Sequence, residues 1–290
     1  MRNSKWLRWV GIEDAFKVLF FLFAIMASSV AAGAFILHFL PGGGLVVVWD
    51  LLGSRIHLNP SSVALLIVAS LSAEIFTVIN MRKPSRRLEA VVILLFTTLT
   101  AGFALLSGRY FLLALMQEAF PALMLLLSVA VFAGVYVLFL VLIDATSEPA
   151  KNLALAVFSV TTGAFIATSF QTWIIVAVLI AVVVIDIAGT LAISPSFAAD
   201  QFEPTRTALT TPNWAIGLGD LLSYSIVATH AYLLGGFYLA GIVVILVIIT
   251  AGLTLRFMRK RSLIRVPGLP LTLAPSVALV ALIWLSGLTG

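Results

Sequence analysis

The sequence predicts an all-α polytopic membrane protein, a single bundle of about nine transmembrane helices. Three observations predict it. The 290 residues are 62% hydrophobic and only 10% charged, with mean hydropathy +1.17, against about 45–50% apolar residues in soluble domains. The apolar residues lie in runs of about 20, the length that crosses a bilayer as a helix, and stretches such as Ile174 to Ile180 do not alternate as the strands of a membrane barrel would. The basic residues gather at the ends of alternate runs. That is the pattern of topology signals, so the net charge of +5 does not point to nucleic acid.

The breaks between runs have recognisable chemistry. The first run, 18–40, is too long for a signal-peptide core and reads as a retained span ended by Pro41-Gly42-Gly43-Gly44. Arg82-Lys83-Pro84-Ser85-Arg86-Arg87 parts the second (62–81) from the third (88–107). The fourth, 120–143, is followed by a connection at Glu148-Pro149. Only the polar step Ser169-Phe170-Gln171-Thr172 divides the fifth (152–170) from the sixth (172–193). The seventh (214–232) follows a connection at 194–213, Arg259-Lys260-Arg261 closes the eighth (236–257), and the ninth is 269–287. No internal repeat is visible. The chain reads as one domain, with residues 1–170 supplying five to six helices and 172–290 carrying the chemistry.

Lys and Arg counted on alternate sides set the orientation. Fifteen of the 17 fall on the side of the amino terminus, and only Arg55 and Arg109 on the other. The expectation is a cytoplasmic amino terminus and an extracytoplasmic carboxyl terminus.

Two carboxylates stand out against this background. Asp186 lies on the sixth span and Asp220 on the seventh, where an ionisable side chain costs about 2.5–3.5 kcal/mol to insert and so marks a functional site. Asp186 is about seven residues from the inner end of its span and Asp220 about six residues into its own. At about 1.5 Å of rise per residue, both sit roughly 10 Å below the cytoplasmic edge. Antiparallel helices can then bring the two face to face. Two carboxyls in a poorly solvated site do not both ionise, so one keeps its proton. The ionised partner can take a proton from water while the other hydrogen-bonds a peptide carbonyl, which is general acid–base hydrolysis. Asp220 closes the string Gly217-Leu218-Gly219-Asp220, whose glycines permit close backbone approach and unusual dihedrals.

These residues resemble the presenilin and signal peptide peptidase family of intramembrane aspartyl proteases, particularly its archaeal presenilin-like members. The resemblance rests on Gly217-Leu218-Gly219-Asp220-Leu221, on Asp186, on Gly268-Leu269-Pro270-Leu271 at the ninth span, and on Ser225-Ile226-Val227-Ala228-Thr229-His230. It implies a nine-helix fold with Asp186 and Asp220 as the catalytic dyad. It further implies that Gly217, Leu218, Gly219, Pro270 and Leu271 shape the site or place the substrate. Membrane-spanning polypeptides within the lipid bilayer are the implied substrates, and no metal or organic cofactor is implied. Two positions depart from the family's pattern. Ile185 precedes Asp186 where tyrosine is usual, and Pro270-Leu271-Thr272 stands where Pro-Ala-Leu is expected.

Other residues fit other chemistries less well. Glu74, on the second span, reads as an interhelical hydrogen-bonding group or a proton relay, and Asp144 as a residue at a span end. His38, His57 and His230 lack the spacing of a zinc protease, and no GxSxG elbow lies within a span. With no cysteine, disulfides and thiolate catalysis are excluded. The alternatives are a proton- or cation-coupled transporter using Asp186, Asp220 and Glu74, and a prepilin-type peptidase, which also carries a GxGD aspartate.

Overall fold

The computed structural model describes residues 12–39, scattered helical positions between 125 and 140, and residues 146–192, 208–211, 214–261 and 272–287. Its elements are α1 (Ile12–Phe39), α2 (Glu148–Ser169), α3 (Thr172–Ala192), β1 (Ala208–Thr211), β2 (Trp214–Gly217), α4 (Leu218–Arg261) and α5 (Ala274–Leu285). Among the described residues α1, α2 and α4 are long and apolar enough to cross a membrane. Their outward faces are apolar as well: Phe16, Phe20 and Phe23 on α1 and Tyr238, Ile242, Ile245 and Ile249 on α4 are exposed. A surface of that kind belongs against lipid, so the chain is a helical membrane protein. The expected second and third spans with Glu74, and Asp144, lie outside the described residues.

Local chemistry explains the helix ends. Pro149 sits in the first turn of α2, where its missing N–H removes no helical bond, and α2 stops where Phe170 turns extended. The Ser169-Phe170-Gln171-Thr172 step therefore does separate two helices. α4 is broken at Gly235 (φ −147°) and Gly236 (φ 62°, ψ −159°). The chain reverses there. The Tyr224 hydroxyl bonds to Thr272 Oγ1 (2.6 Å) while Thr250 Oγ1 lies 3.0 Å from the Thr272 carbonyl oxygen. In a continuous helix Tyr224 and Thr250 would stand about 39 Å apart, too far to share one partner. Segments 218–234 and 237–261 thus form a helical hairpin, matching the expected seventh and eighth spans.

The first arm of that hairpin is the axis of the bundle. Residues 223–231 are buried without exception, which requires neighbours on every face. α1 covers one face: Ser29 Oγ donates to the Ser225 carbonyl (3.0 Å) and accepts from Thr229 Oγ1 (2.6 Å), and a Cβ at Gly33 would strike the Thr229 methyl. α2 covers another: a Cβ at Gly163 would strike Ser225, and His230 Nδ1 meets the Ala167 carbonyl at 3.2 Å. Small residues and hydroxyls at these crossings allow the close approach that drives helix association in lipid. Along both interfaces the residue numbers rise together, so α1 and α2 run parallel to 218–234. The second arm, 237–261, runs back, with Gly252 beside Leu19 of α1.

One expectation is corrected. The seventh span does not begin at Trp214, because residues 214–217 form β2, paired antiparallel with β1 in the register Ala208↔Gly217 to Thr211↔Trp214. The β-branched Thr210 and Thr211 favour an extended chain, and Pro212-Asn213 between the strands supplies turn residues. α5 begins at Ala274 with Pro275 in its first turn, and the expected start of the ninth span at 269 lies outside the described residues. Pro270 and Leu271 lie outside the described residues.

Candidate active site

The string Gly217-Leu218-Gly219-Asp220 straddles the junction of β2 and α4. Gly217 is the last residue of the strand and Leu218 the first of the helix, with no loop between them. Asp220 therefore sits in the first turn of α4, where unbonded N–H groups and the positive end of the helix dipole favour a carboxylate. It is half-buried, Leu218 is buried and Gly219 is exposed. Neither glycine has positive φ, and positive φ among the described glycines is confined to Gly236 and Gly287. Among the described residues a Cβ at Gly219 would touch nothing within 4 Å, and one at Gly217 would meet only the Asp220 carboxylate, at 3.7 Å. Neither glycine takes the left-handed φ that favours glycine, and among the described residues the space beside Gly219 is open.

Asp186 lies in the second half of α3 and is likewise half-buried. α3, which carries Asp186, packs against α4, which carries Asp220. Tyr224 stands one turn after Asp220 on the same face of α4, and its ring is buried in the core. Each carboxylate has interactions of its own.

The third contributor is the segment entering α5. Thr272 is buried and accepts or donates a 2.6 Å hydrogen bond with the Tyr224 hydroxyl, and its carbonyl lies 3.0 Å from Thr250 Oγ1. α5 packs against both α3 and α4, the two aspartate-bearing helices. Thr272, read from sequence only as a departure from Pro-Ala-Leu, thus joins the site to both arms of α4. Sequence reasoning missed Tyr224 altogether. The one signal available was its spacing of four residues from Asp220.

His230 stands apart from this cluster, about 15 Å along the helix from Asp220. A carbonyl can only accept, so Nδ1 carries the proton donated to Ala167. Ala167 lies in the last turn of α2, whose carbonyls lack helical donors. His230 therefore closes the end of α2. Its Nε2 is buried without a hydrogen-bond partner, as is the hydroxyl of Ser225. Among the described residues no three His, Asp or Glu side chains gather in a metal-binding cluster.

No protein-family model matches this chain, and no curated protein matches it.

Proposed function

We propose that this chain is an intramembrane aspartyl endopeptidase that cleaves membrane-spanning peptide segments near their cytoplasmic ends, with Asp186 and Asp220 as a general acid–base pair. The observation that carries the reading is the packing of the two aspartate-bearing helices, α3 with Asp186 and α4 with Asp220 in its first turn, against one another and both against α5. One carboxylate accepts a proton from water, the other donates to the scissile carbonyl, and the pair titrates as a unit. The half-exposure of both aspartates and the open space beside Gly219 leave room for an extended substrate. A helical substrate must first unwind, because its carbonyls are bonded within its own helix. The β1–β2 hairpin that runs directly into the Asp220 turn offers sheet edges where an unwound strand can find new backbone partners.

The remaining features of the reading are proposed with it. The fold is a nine-span bundle with the amino terminus in the cytoplasm. Parallel α1, α2 and 218–234 suit their places as first, fifth and seventh spans, since odd-numbered spans run in one direction. The Gly217 to Asp220 junction, with Pro270 and Leu271 ahead of Thr272, places the substrate. The partners are membrane-spanning polypeptides and the lipid bilayer, and the reaction uses no cofactor.

The test is cleavage of a generic membrane-spanning substrate by purified protein in liposomes. Wild type should cut it, while Asp186→Asn and Asp220→Asn should each abolish cutting and still fold, because substitution by asparagine removes a buried charge rather than stranding one. Full cleavage by either variant, or proton-coupled solute uptake in place of cleavage, would refute the reading.

A further inference from the structure

The start of α2 gathers polar groups that the fold leaves unused. Lys151 is only 5% exposed, and among the described residues its ammonium has no hydrogen bond or ion pair. The Thr146 hydroxyl, at the entrance to the same helix, is buried without a partner. Ser147 occupies the N-cap but makes no side-chain cap bond. Pro149 has no N–H and the Lys151 amide is bonded to the Ser147 carbonyl, so the amides of Glu148 and Ala150 are left without a helical acceptor. Side chains on a helix lean back towards its amino-terminal end, which carries the Lys151 stem over this first turn.

Ammonium, hydroxyl and amides can all donate, and none is matched by an acceptor. A buried ammonium without a counterion is costly, and a cation in a helix's first turn is opposed by the helix dipole. Lys151 therefore does not stabilise α2 by itself. Glu148, exposed in that first turn, forms no ion pair with it among the described residues. Both costs reverse when an anion sits at the mouth of the helix, where open amides already favour a phosphate or carboxylate. α2 is long and apolar enough to cross a membrane from Glu148 onward, so this end stands at headgroup depth whichever way the helix points. The anion abundant there is lipid phosphate. We propose that the start of α2 binds the phosphate of an anionic lipid headgroup, held by Lys151, the Thr146 hydroxyl and the open amides of the first turn. The site stands independently of the protease reading.

The experiment places the full chain in phosphatidylcholine nanodiscs doped with phosphatidylglycerol and counts the lipids it retains by native mass spectrometry. Wild type should hold one phosphatidylglycerol in preference to phosphatidylcholine. Lys151→Gln and Thr146→Val should each weaken that preference by about tenfold, the scale of losing one hydrogen bond to a charged group. Thr146→Ser keeps the hydroxyl and should bind as wild type does. Arg256 is exposed, one turn beyond the Gly252 that lies beside Leu19, and so stands at the same end of the bundle. Arg256→Gln should change retention by less than about twofold, as expected of a solvated surface charge. Lys151→Gln and Thr146→Val proteins that retain phosphatidylglycerol like wild type would overturn the proposal. So would an equal loss in Arg256→Gln, the mark of a diffuse basic surface, or Lys151-dependent capture of an acidic peptide with no preference among lipids. Inorganic phosphate that binds in pure phosphatidylcholine discs with the same dependence on Lys151, and no lipid preference, would uphold the phosphate site and overturn its lipid source. If Lys151→Gln fails to fold, the Thr146→Val and Thr146→Ser pair decides alone. Cleavage plays no part in the readout, so a wild type that never cleaves yet shows this lipid preference would remove the protease reading and uphold the site.

Discussion

Replacing Gly236 by alanine should destabilise the protein, whereas replacing Gly241, five residues on, should stabilise it slightly. Gly236 holds φ 62° and ψ −159°, and among the described residues a Cβ there would touch nothing within 4 Å. Its cost is therefore one of backbone conformation alone, since that region is open essentially to glycine and costs other residues about 1–3 kcal/mol. Gly241 lies within the helical return arm and likewise has nothing within 4 Å of an added Cβ. Alanine there restricts the unfolded chain and improves helix propensity, a gain of about 0.4–1 kcal/mol. Unfolding in mixed detergent, followed by circular dichroism, gives both free-energy changes on one scale. The opposite signs are the decisive feature, because a general intolerance of substitution in this region would lower both. The consequence should reach the site as well. Thr250 meets Thr272 only because the chain turns back at Gly235–Gly236, so Gly236→Ala should also slow cleavage and Gly241→Ala should not. A Gly236→Ala protein as stable and as active as wild type would show that the reversal is not built on this dihedral pair.

Three further outcomes are expected. Gly163→Ala should cost about 1–3 kcal/mol by overpacking, since its Cβ would press on Ser225 and on the Ile226 backbone nitrogen, while Gly252→Ala should be tolerated because its nearest neighbour is the Leu19 side chain at 3.6 Å; detergent unfolding of the two separates them. His230→Leu should cost about 1–3 kcal/mol by stripping the donor from the Ala167 carbonyl, with the pH profile of cleavage unchanged. A reactive cysteine placed at Lys83 or Lys260 should be shielded from impermeant reagent in right-side-out vesicles and one placed after Gly290 labelled, a clean assay because the chain has no cysteine of its own; labelling of both ends from one side would require an even number of crossings.

What the sequence disclosed and what it concealed divide along a physical line. Features written in consecutive residues were legible: the long apolar runs, the polar step at 169–172 and the two isolated aspartates. The β1–β2 hairpin was not, because a strand of four residues is specified by its partner as much as by itself. Glycines in a GxGD string suggested unusual dihedrals, yet neither Gly217 nor Gly219 has positive φ. The bond from Tyr224 to Thr272 crosses 48 residues, and no local pattern announces such a contact.

The placement of the site within the bundle has a consequence for how it works. The 218–234 arm is enclosed through residues 223–231, yet its first turn, with Asp220 and Gly219, is partly open. Rigidity and access are thus separated along a single helix, with about one turn of rise between the open aspartate and the enclosed phenol. Ser29, Gly33, Gly163 and His230 lock the arm further up, on faces that a substrate near Asp220 need not touch. A catalytic pair must be held to within about half an ångström while a substrate enters beside it, and that is easiest when the supporting contacts lie behind the chemistry. Tyr224 occupies the boundary: it is buried with the locked segment, and its hydroxyl bonds to Thr272 at the entrance of α5. Loosening the arm from behind, as Gly163→Ala should do, ought therefore to disturb the Tyr224–Thr272 bond before it disturbs the half-open first turn itself.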